Sequence, residues 1–217
     1  RSDKLETKMK IPEIKPGLII QKETNNYIYA NSLELPSTTH ISIVDKYGNA
    51  LSMTSTIESS FGSRLMTNGG FLLNNELTDF SFQKEKKGKR VANNIEPNKR
   101  PRSSMAPTII FKNDNPLFII GSPGGSNIIG YVVNSIIGLI DWNMNVQQAA
   151  SIPHGINKFG TFYLEKNSKI SLLKKQLEKK GYKVKLRNFY SGLNIIQIKK
   201  KLFGGSDHRR EGVAIGY

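Results

Sequence analysis

The sequence contains no cysteine, which excludes disulfide bridges, thiolate-ligated zinc and a cysteine nucleophile. The compartment stays open, since an exported protein can also do without cysteine. Acidic residues are scarce: 17 Asp and Glu stand against 32 Lys and Arg, a formal charge of +15. There is no long hydrophobic run. The most apolar stretch, Ile128 to Ile140, is interrupted by Asn134 and falls short of the ~20 residues that a membrane-crossing helix needs. No secretory signal follows Arg1, where the segment is polar and lysine-rich, and the chain reads as a piece whose start has been removed. What is present is a hydrophobic fraction of 37% with ten Phe, eight Tyr and one Trp, which argues against a disordered polyelectrolyte. A length of 217 residues suffices for a real core in one domain or two small ones.

So basic a chain makes nucleic acid the first partner class to weigh. The charge gathers in Lys84-Glu85-Lys86-Lys87-Gly88-Lys89-Arg90, Lys174-Lys175, Lys179-Lys180 and Lys199-Lys200-Lys201. None of these runs is interleaved with the aromatic platform that base stacking uses. No RNP-like, zinc-finger or helix-turn-helix spacing occurs. Ile, Asn and Lys are abundant throughout, as in a general compositional drift. The expectation is solvated loops and helix faces, with no specific nucleic-acid partner.

Residues 1 to 37 are polar and poorly periodic, with Pro12, Pro16 and Pro36 as breaks, and read as a linker or an arm lying on something else. At Thr38 the texture changes. His40 to Val44 and Ala50 to Ile57 alternate around the turn cluster Asp45-Lys46-Tyr47-Gly48-Asn49, which predicts a hairpin. Phe71-Leu72-Leu73 leads into polar Asn74-Asn75-Glu76, and residues 81 to 102 read as a long loop, mobile or functional. A second hairpin is expected from Thr108 to Phe111 and Leu117 to Ile120 around Lys112-Asn113-Asp114-Asn115-Pro116. Its second strand runs into Gly121-Ser122-Pro123-Gly124-Gly125-Ser126, followed by a helix to about Trp142 and another near Val146 to Ala150. A helix over about Ser168 to Lys180 would present Ile170, Leu173 and Leu177 on one face and end at Gly181. Strands over Tyr182 to Leu186 and Leu193 to Ile198 complete a mixed α/β (α+β) pattern without internal repeats.

Two places suit chemistry. In Ser122-Pro123-Gly124-Gly125-Ser126 a strand meets a helix start. Adjacent glycines admit a bound group close to the backbone, and the free N–H groups with the helix dipole favour negative charge. Such a nest suits a phosphate, a carboxylate or an acyl-transfer oxyanion, or is simply a tight turn. Its spacing fits neither the Walker nor the dinucleotide pattern. The second place is Pro36-Ser37-Thr38-Thr39-His40, where the irregular arm meets the first strand; a threonine at a strand start is usually only a β-former.

The wider text adds to this. Thr38-Thr39-His40-Ile41-Ser42-Ile43-Val44-Asp45-Lys46-Tyr47-Gly48-Asn49-Ala50 resembles the start of the small subunit of γ-glutamyltransferases (γ-glutamyltranspeptidases). The likeness continues through Ser60 to Ser63, Leu72 to Phe80, Pro97 to Thr108, Gly121 to Ser126 and the tail from Asp207 to Tyr217. These are six segments in family order over residues 38 to 217. Residues 10 to 37 resemble the end of the family's large subunit, so the implied organisation is a large-subunit arm over 1–37 and the small catalytic subunit over 38–217.

The resemblance implies the N-terminal-nucleophile hydrolase fold, a four-layer αββα sandwich, here without most of the large subunit. It implies a precursor that cuts itself between Ser37 and Thr38, with Thr38 as nucleophile. A threonine hydroxyl needs a base to take its proton, and a free α-amine on the same residue can serve once the amide is gone. Thr56 resembles the family's second threonine, which hydrogen-bonds the nucleophile. Gly124 and Gly125 match the oxyanion-hole glycines, each well-aimed N–H being worth ~3 kcal/mol on the barrier. Ser103 and Ser104 match the pair that holds the substrate α-carboxylate, while Asp79 and Glu76 match the groups that hold its α-ammonium. Glu58 stands where members often have Asn, so that three acids would surround one ammonium. The family's carboxylate-gripping arginine lies in the large subunit.

The implied partners are glutathione or another γ-glutamyl donor, an acceptor amino acid, peptide or water, and the large subunit of the same precursor. No cofactor or metal is implied, and bacterial members are commonly periplasmic or extracellular. The alternatives are an inactive remnant of this fold, a related acylase with another acyl donor such as glutaryl, or a basic binding module.

Overall fold

A computed structural model describes residues 27–28, 37–158 and 160–216. The expected arm over 1–37 lies outside the described residues apart from Ser37 and the two-residue strand Tyr27–Ile28. In chain order the main elements are β1 (Thr38–Val44), β2 (Ala50–Thr56), β3 (Thr108–Lys112), β4 (Asn115–Gly121), α1 (Ile128–Ile140), α2 (Val146–Ala150), β5 (Gly155–Lys158), β6 (Thr161–Glu165), α3 (Lys174–Lys179), β7 (Lys183–Arg187), β8 (Asn194–Ile198) and β9 (Leu202–Ser206). They fall into two compact units, a larger one whose described residues are Ile28, 37–152 and 190–216 and a smaller one whose described residues are Tyr27, 153–158 and 160–189.

In the larger unit, β1 and β2 form the expected antiparallel hairpin, registered from Thr38 opposite Thr56 to Val44 opposite Ala50. Asp45 closes the turn. Its carboxylate accepts the Asn49 side-chain amide (2.7 Å) and the N–H groups of Tyr47 (2.9 Å) and Asn49 (2.8 Å). These bonds, the Asn49 side chain foremost, hold the Asp45 carboxyl below the usual carboxylate range. The face of the hairpin carrying Thr38, His40, Ser42, Ser52 and Thr54 turns inward, while Ile41, Ile43, Leu51 and Met53 on the other face are 39–47% exposed.

Polar residues can face inward here because the neighbouring sheet supplies partners. Ser52 Oγ donates to the Ile120 carbonyl (3.0 Å) and accepts from the Thr108 N–H (3.1 Å). Ser42 Oγ donates to the Asn194 carbonyl (3.2 Å), and Asn194 Nδ2 donates to the His40 carbonyl (3.0 Å). That sheet has the order β9-β8-β4-β3, antiparallel throughout. Its β3–β4 connection is tighter than expected. Asn113 and Asp114 alone form the turn, both at positive φ (50° and 61°), so pairing reaches Lys112 and Asn115, and Pro116 enters the strand opposite Phe111 beside a register shift.

Strand β4 is apolar and buried over Phe118-Ile119-Ile120. Helix α1 buries Ile128, Tyr131, Val132, Ser135, Gly138 and Leu139, the spacing of a single helical stripe. Ser135 Oγ donates to the carbonyls of Tyr131 (3.0 Å) and Ala149 (3.3 Å), tying α1 to α2. A capping box between Asn145 and Gln148 starts α2. The stretch 81–102 is more structured than a long loop. It holds a small hairpin of Glu85–Lys86 and Lys89–Val91, with Val91 fully buried. Glu96 pairs with Arg90 and with Lys99 (2.6 Å), and Lys99 also reaches buried Asn94 (2.9 Å).

The smaller unit is a three-stranded sheet of order β7-β6-β5, parallel between β7 and β6 and antiparallel between β6 and β5. The expected single helix is a 3₁₀ segment, Lys169–Leu173, followed by the short α3. Ile170 and Leu177 are half-buried, but Leu173 is exposed, so the single apolar face does not form. Strands β5, β6 and β9 are additions to the sequence reading. In β9 the pair Gly204-Gly205 looks like a turn in isolation and is strand because β8 offers a ladder to it.

Candidate active site

Register brings Thr38 and Thr56 opposite one another at the open end of the first hairpin. Thr38 Oγ1 donates to Thr56 Oγ1 at 3.2 Å, in a part-buried position. Thr56 Oγ1 also accepts from the Glu58 N–H (3.0 Å). Glu58 lies in the left-handed region (φ 69°), where a non-glycine residue is uncommon. Its carbonyl accepts from Ser37 Oγ, so a single turn fastens the residue before Thr38 and the hydroxyl opposite it. The Glu58 carboxylate accepts from Ser59 Oγ (2.6 Å) and Asn75 Nδ2 (2.5 Å), while Asn75 Oδ1 accepts from the Ser59 N–H (3.0 Å).

Thr38, Thr56 and Glu58 share one open cleft with Glu76, Asp79, Ser103, Ser104 and Gly125. Eight of the nine residues that the sequence marked therefore meet in one place. Glu76 and Asp79 sit on a short 3₁₀ turn, Glu76–Asp79. Glu76 Oε2 is buried with no hydrogen-bond partner among the described residues. Burial first, then the nearby Asp79 and Glu58 charges, raises the Glu76 pKa. The cleft is thus acidic on this side, and a cation placed there would relieve the repulsion.

The ninth residue, Gly124, lies beside the cleft and beneath Tyr131. Its φ of 137° is outside the range of L side chains, and a Cβ there would stand 2.5 Å from Tyr131 Cε2. Gly125 follows at φ 59°, and the 3₁₀ turn Gly125–Asn127 leads into α1. Ser122 steadies this turn, donating to the Pro123 carbonyl (2.6 Å) and accepting from the Gly192 N–H (3.0 Å).

Three contributors escaped the sequence reading. Asn93 Nδ2 donates to the Asp79 carbonyl (2.6 Å) and its Oδ1 accepts from the Arg102 N–H (3.1 Å), joining the acidic turn to the Arg102-Ser103-Ser104 segment. Nothing local in Val91-Ala92-Asn93-Asn94 signals this. Arg102 itself lines the cleft; it stood within the Pro97–Thr108 motif without a role. Arg210 Nη1 reaches the Thr38 carbonyl (3.4 Å) and its Nε donates to the Tyr190 carbonyl (3.1 Å), and it stood in the tail motif likewise. Among the described residues no cluster of His, Asp and Glu is arranged to hold a metal ion, and no helix is long and apolar enough to cross a membrane.

Known proteins resemble this chain in sequence and in fold. The glutathione hydrolase proenzyme of Escherichia coli (strain K12) is 35% identical over 216 residues, covering 94% of this chain and 35% of that protein. That of Bacillus subtilis (strain 168) is 38% identical over 186 residues, covering 82% and 30%. The chain spans about a third of the length of these relatives. Among solved structures, a mutant of Helicobacter pylori gamma-glutamyltranspeptidase superposes with a TM-score of 0.71 at 40% identity, over 79% of this chain and 100% of that one. The Bacillus anthracis transpeptidase CapD gives 0.65 at 28% identity, over 82% and 99%. The α+β architecture is accordingly that of the N-terminal-nucleophile hydrolases. Since the gamma-glutamyltranspeptidase model matches residues 4–217, nearly the whole length, this chain belongs to the gamma-glutamyltranspeptidase family.

Proposed function

We propose that this chain carries the catalytic part of a γ-glutamyltransferase and glutathione hydrolase, with Thr38 Oγ1 as the nucleophile. The observation that carries the reading is the Thr38–Thr56 hydroxyl pair, set in a cleft with three carboxylates. While Ser37 and Thr38 are joined, the Thr38 nitrogen is an amide and cannot act as a base. Attack of Oγ1 on the Ser37 carbonyl forms an ester as the C–N bond breaks, and the hydroxyl proton passes to the departing nitrogen. Water then hydrolyses the ester, leaving Ser37 as a carboxylate and Thr38 with a free amine. The small subunit would thus begin at Thr38, and residues 1–37 would end the large one.

In turnover that amine takes the Oγ1 proton as the oxygen attacks the γ-carbonyl of the donor. The N–H groups of Gly124 and Gly125 stabilise the oxyanion. The proton leaves with the displaced amine, and water or an acceptor amine releases the γ-glutamyl ester. Glu76, Asp79 and Glu58 hold the donor α-ammonium, and Ser103 and Ser104 its α-carboxylate. The acidic side favours a γ-glutamyl over a glutaryl donor, which differs by lacking that ammonium. The proenzyme relatives and the exposed apolar face of Ile41, Ile43, Leu51 and Met53 support a large-subunit partner from the same precursor. By the same kinship we place the mature enzyme in the periplasm or outside the cell.

The direct test is an adduct. A mechanism-based γ-glutamyl analogue, incubated with the active two-subunit enzyme, is expected to label the peptide beginning at Thr38, on its hydroxyl. A label on any other residue removes the assignment.

Glu76 offers a second test. Glu76→Gln is expected to raise KM for a γ-glutamyl anilide roughly 10- to 100-fold, the worth of one hydrogen bond to a charged group, while kcat changes little. The unliganded protein should melt higher, since a buried charge repelled by Asp79 is gone. The pH sign follows from the raised pKa. Glu76 loses its charge at a higher pH than an ordinary glutamate, so donor affinity in the wild type falls early on the acid side. That limb should move to lower pH in the variant, as read from kcat/KM against pH.

A further inference from the structure

His40 stands two residues along β1 from Thr38, on the same inward face, and is 6% exposed. Its ring bridges two hydroxyls: Nδ1 is 2.8 Å from Thr54 Oγ1 and Nε2 is 3.1 Å from Ser42 Oγ. Ser42 Oγ gives its proton to the Asn194 carbonyl, so the neutral imidazole donates from Nε2 to Ser42 Oγ and accepts at Nδ1 from Thr54 Oγ1. Burial keeps it neutral, lowering the pKa to about 4.

The ring rests against Gly121, where any side chain would overlap the imidazole. Gly121 is the last residue of β4 and pairs with Asn194 of β8. The same Asn194 donates through Nδ2 to the His40 carbonyl (3.0 Å). Ring and backbone of His40 are therefore fastened at one point of the central sheet. From that point the chain needs two residues back along β1 to reach Thr38, and three onward from Gly121 to reach Gly124.

We propose that His40 is a positioning residue for acyl transfer, setting the Thr38 hydroxyl at working distance from the Gly124-Gly125 turn through its contact with Gly121. The proposal rests on the reading of Thr38 as the nucleophile. Histidine suits the task because one flat ring satisfies two hydroxyls and still leaves a smooth face for a bare Cα. His40 does not line the cleft, where the proposed donor-binding groups are Glu58, Glu76, Asp79, Ser103 and Ser104.

The test uses the full-length precursor, processed to its two subunits, with variants His40→Ala, Gly121→Ala and the pair combined. Misplacing a nucleophile by about 1 Å costs on the order of 100-fold in rate. His40→Ala is thus expected to lower kcat about 10- to 100-fold with the donor KM within about twofold. Gly121→Ala should do the same by pushing the ring away. The double variant should fall no further than the worse single one, because both act through one contact. Additive losses, or kcat of His40→Ala within about twofold of wild type, overturn the proposal. If His40→Ala fails to fold, Thr54→Val and Ser42→Ala release the ring one bond at a time. Each is expected to lower kcat several-fold at unchanged KM, and unchanged kcat in both overturns the proposal equally. The adduct experiment separates the levels: labelling at Thr38 with unaffected kcat in His40→Ala sinks this inference alone, whereas labelling elsewhere sinks the Thr38 reading beneath it.

Discussion

Thr38→Ala in the full-length precursor is expected to leave a single uncut chain, with turnover of a γ-glutamyl anilide lower by on the order of 10⁴-fold or more. Both losses follow from one atom. On the proposed mechanism nothing attacks the Ser37 carbonyl without Oγ1, so the amine that would serve as base is never freed, and the acyl group has nowhere to be held. The fold should survive: Thr38 is nearly buried, but Thr56 Oγ1 keeps the Glu58 N–H as a partner. Thr38→Ser restores the hydroxyl and is expected to recover cutting and part of the rate. Intact-mass measurement reads the cut directly. A Thr38→Ala chain that still separates after Ser37 would mean that another group performs the cleavage.

Asp207→Ala carries the largest expected effect on stability, a loss of about 3–5 kcal/mol, measured as the shift in a urea unfolding curve. Asp207 is 2% exposed and accepts from Ser191 Oγ, from the N–H groups of Leu193 (3.4 Å) and Arg209 (3.0 Å), and from Arg209 Nη1 (2.9 Å). Removing the carboxylate takes away a charged acceptor from the Arg209 guanidinium, itself only 8% exposed. Arg209 Nη2 donates to the Ile152 carbonyl (3.1 Å) and cannot simply turn to water. The next residue, Arg210, reaches the Thr38 carbonyl, so activity should fall along with stability. Asp207→Asn, which keeps one acceptor oxygen, should lose less. A variant as stable as the wild type would show that the ion pair does not hold the tail.

Much of this was legible in advance, for reasons that differ by element. The two hairpins announced themselves by alternation and turn residues, and α1 by its apolar stripe, because each is held by contacts close in sequence. The 3₁₀ opening before α3 and the strand character of Leu202–Ser206 were not legible, because neighbouring elements rather than local composition decided them. The stretch 81–102 looked like a plain loop because its order comes from one lysine and one glutamate meeting partners across the segment. The candidate site was visible only as separated motif fragments. Asn93, whose amide joins two of them, carries no mark of that duty in the text around it.

Composition and pattern by themselves determined that the chain has a folded core, that thiol chemistry is excluded, where the hairpins turn, and which residue types are candidates for the chemistry. Only the tertiary structure decided which face of the first hairpin turns inward. Alternation defines two faces, but the choice between them depends on what the neighbouring sheet offers, and here that sheet offers backbone partners to Ser42 and Ser52. The tertiary structure likewise decided that Thr38 would meet Arg210, 172 residues away, and that His40 would lean on Gly121. Contacts over such separations are selected by the packing of the whole chain, since no local preference acts over that distance.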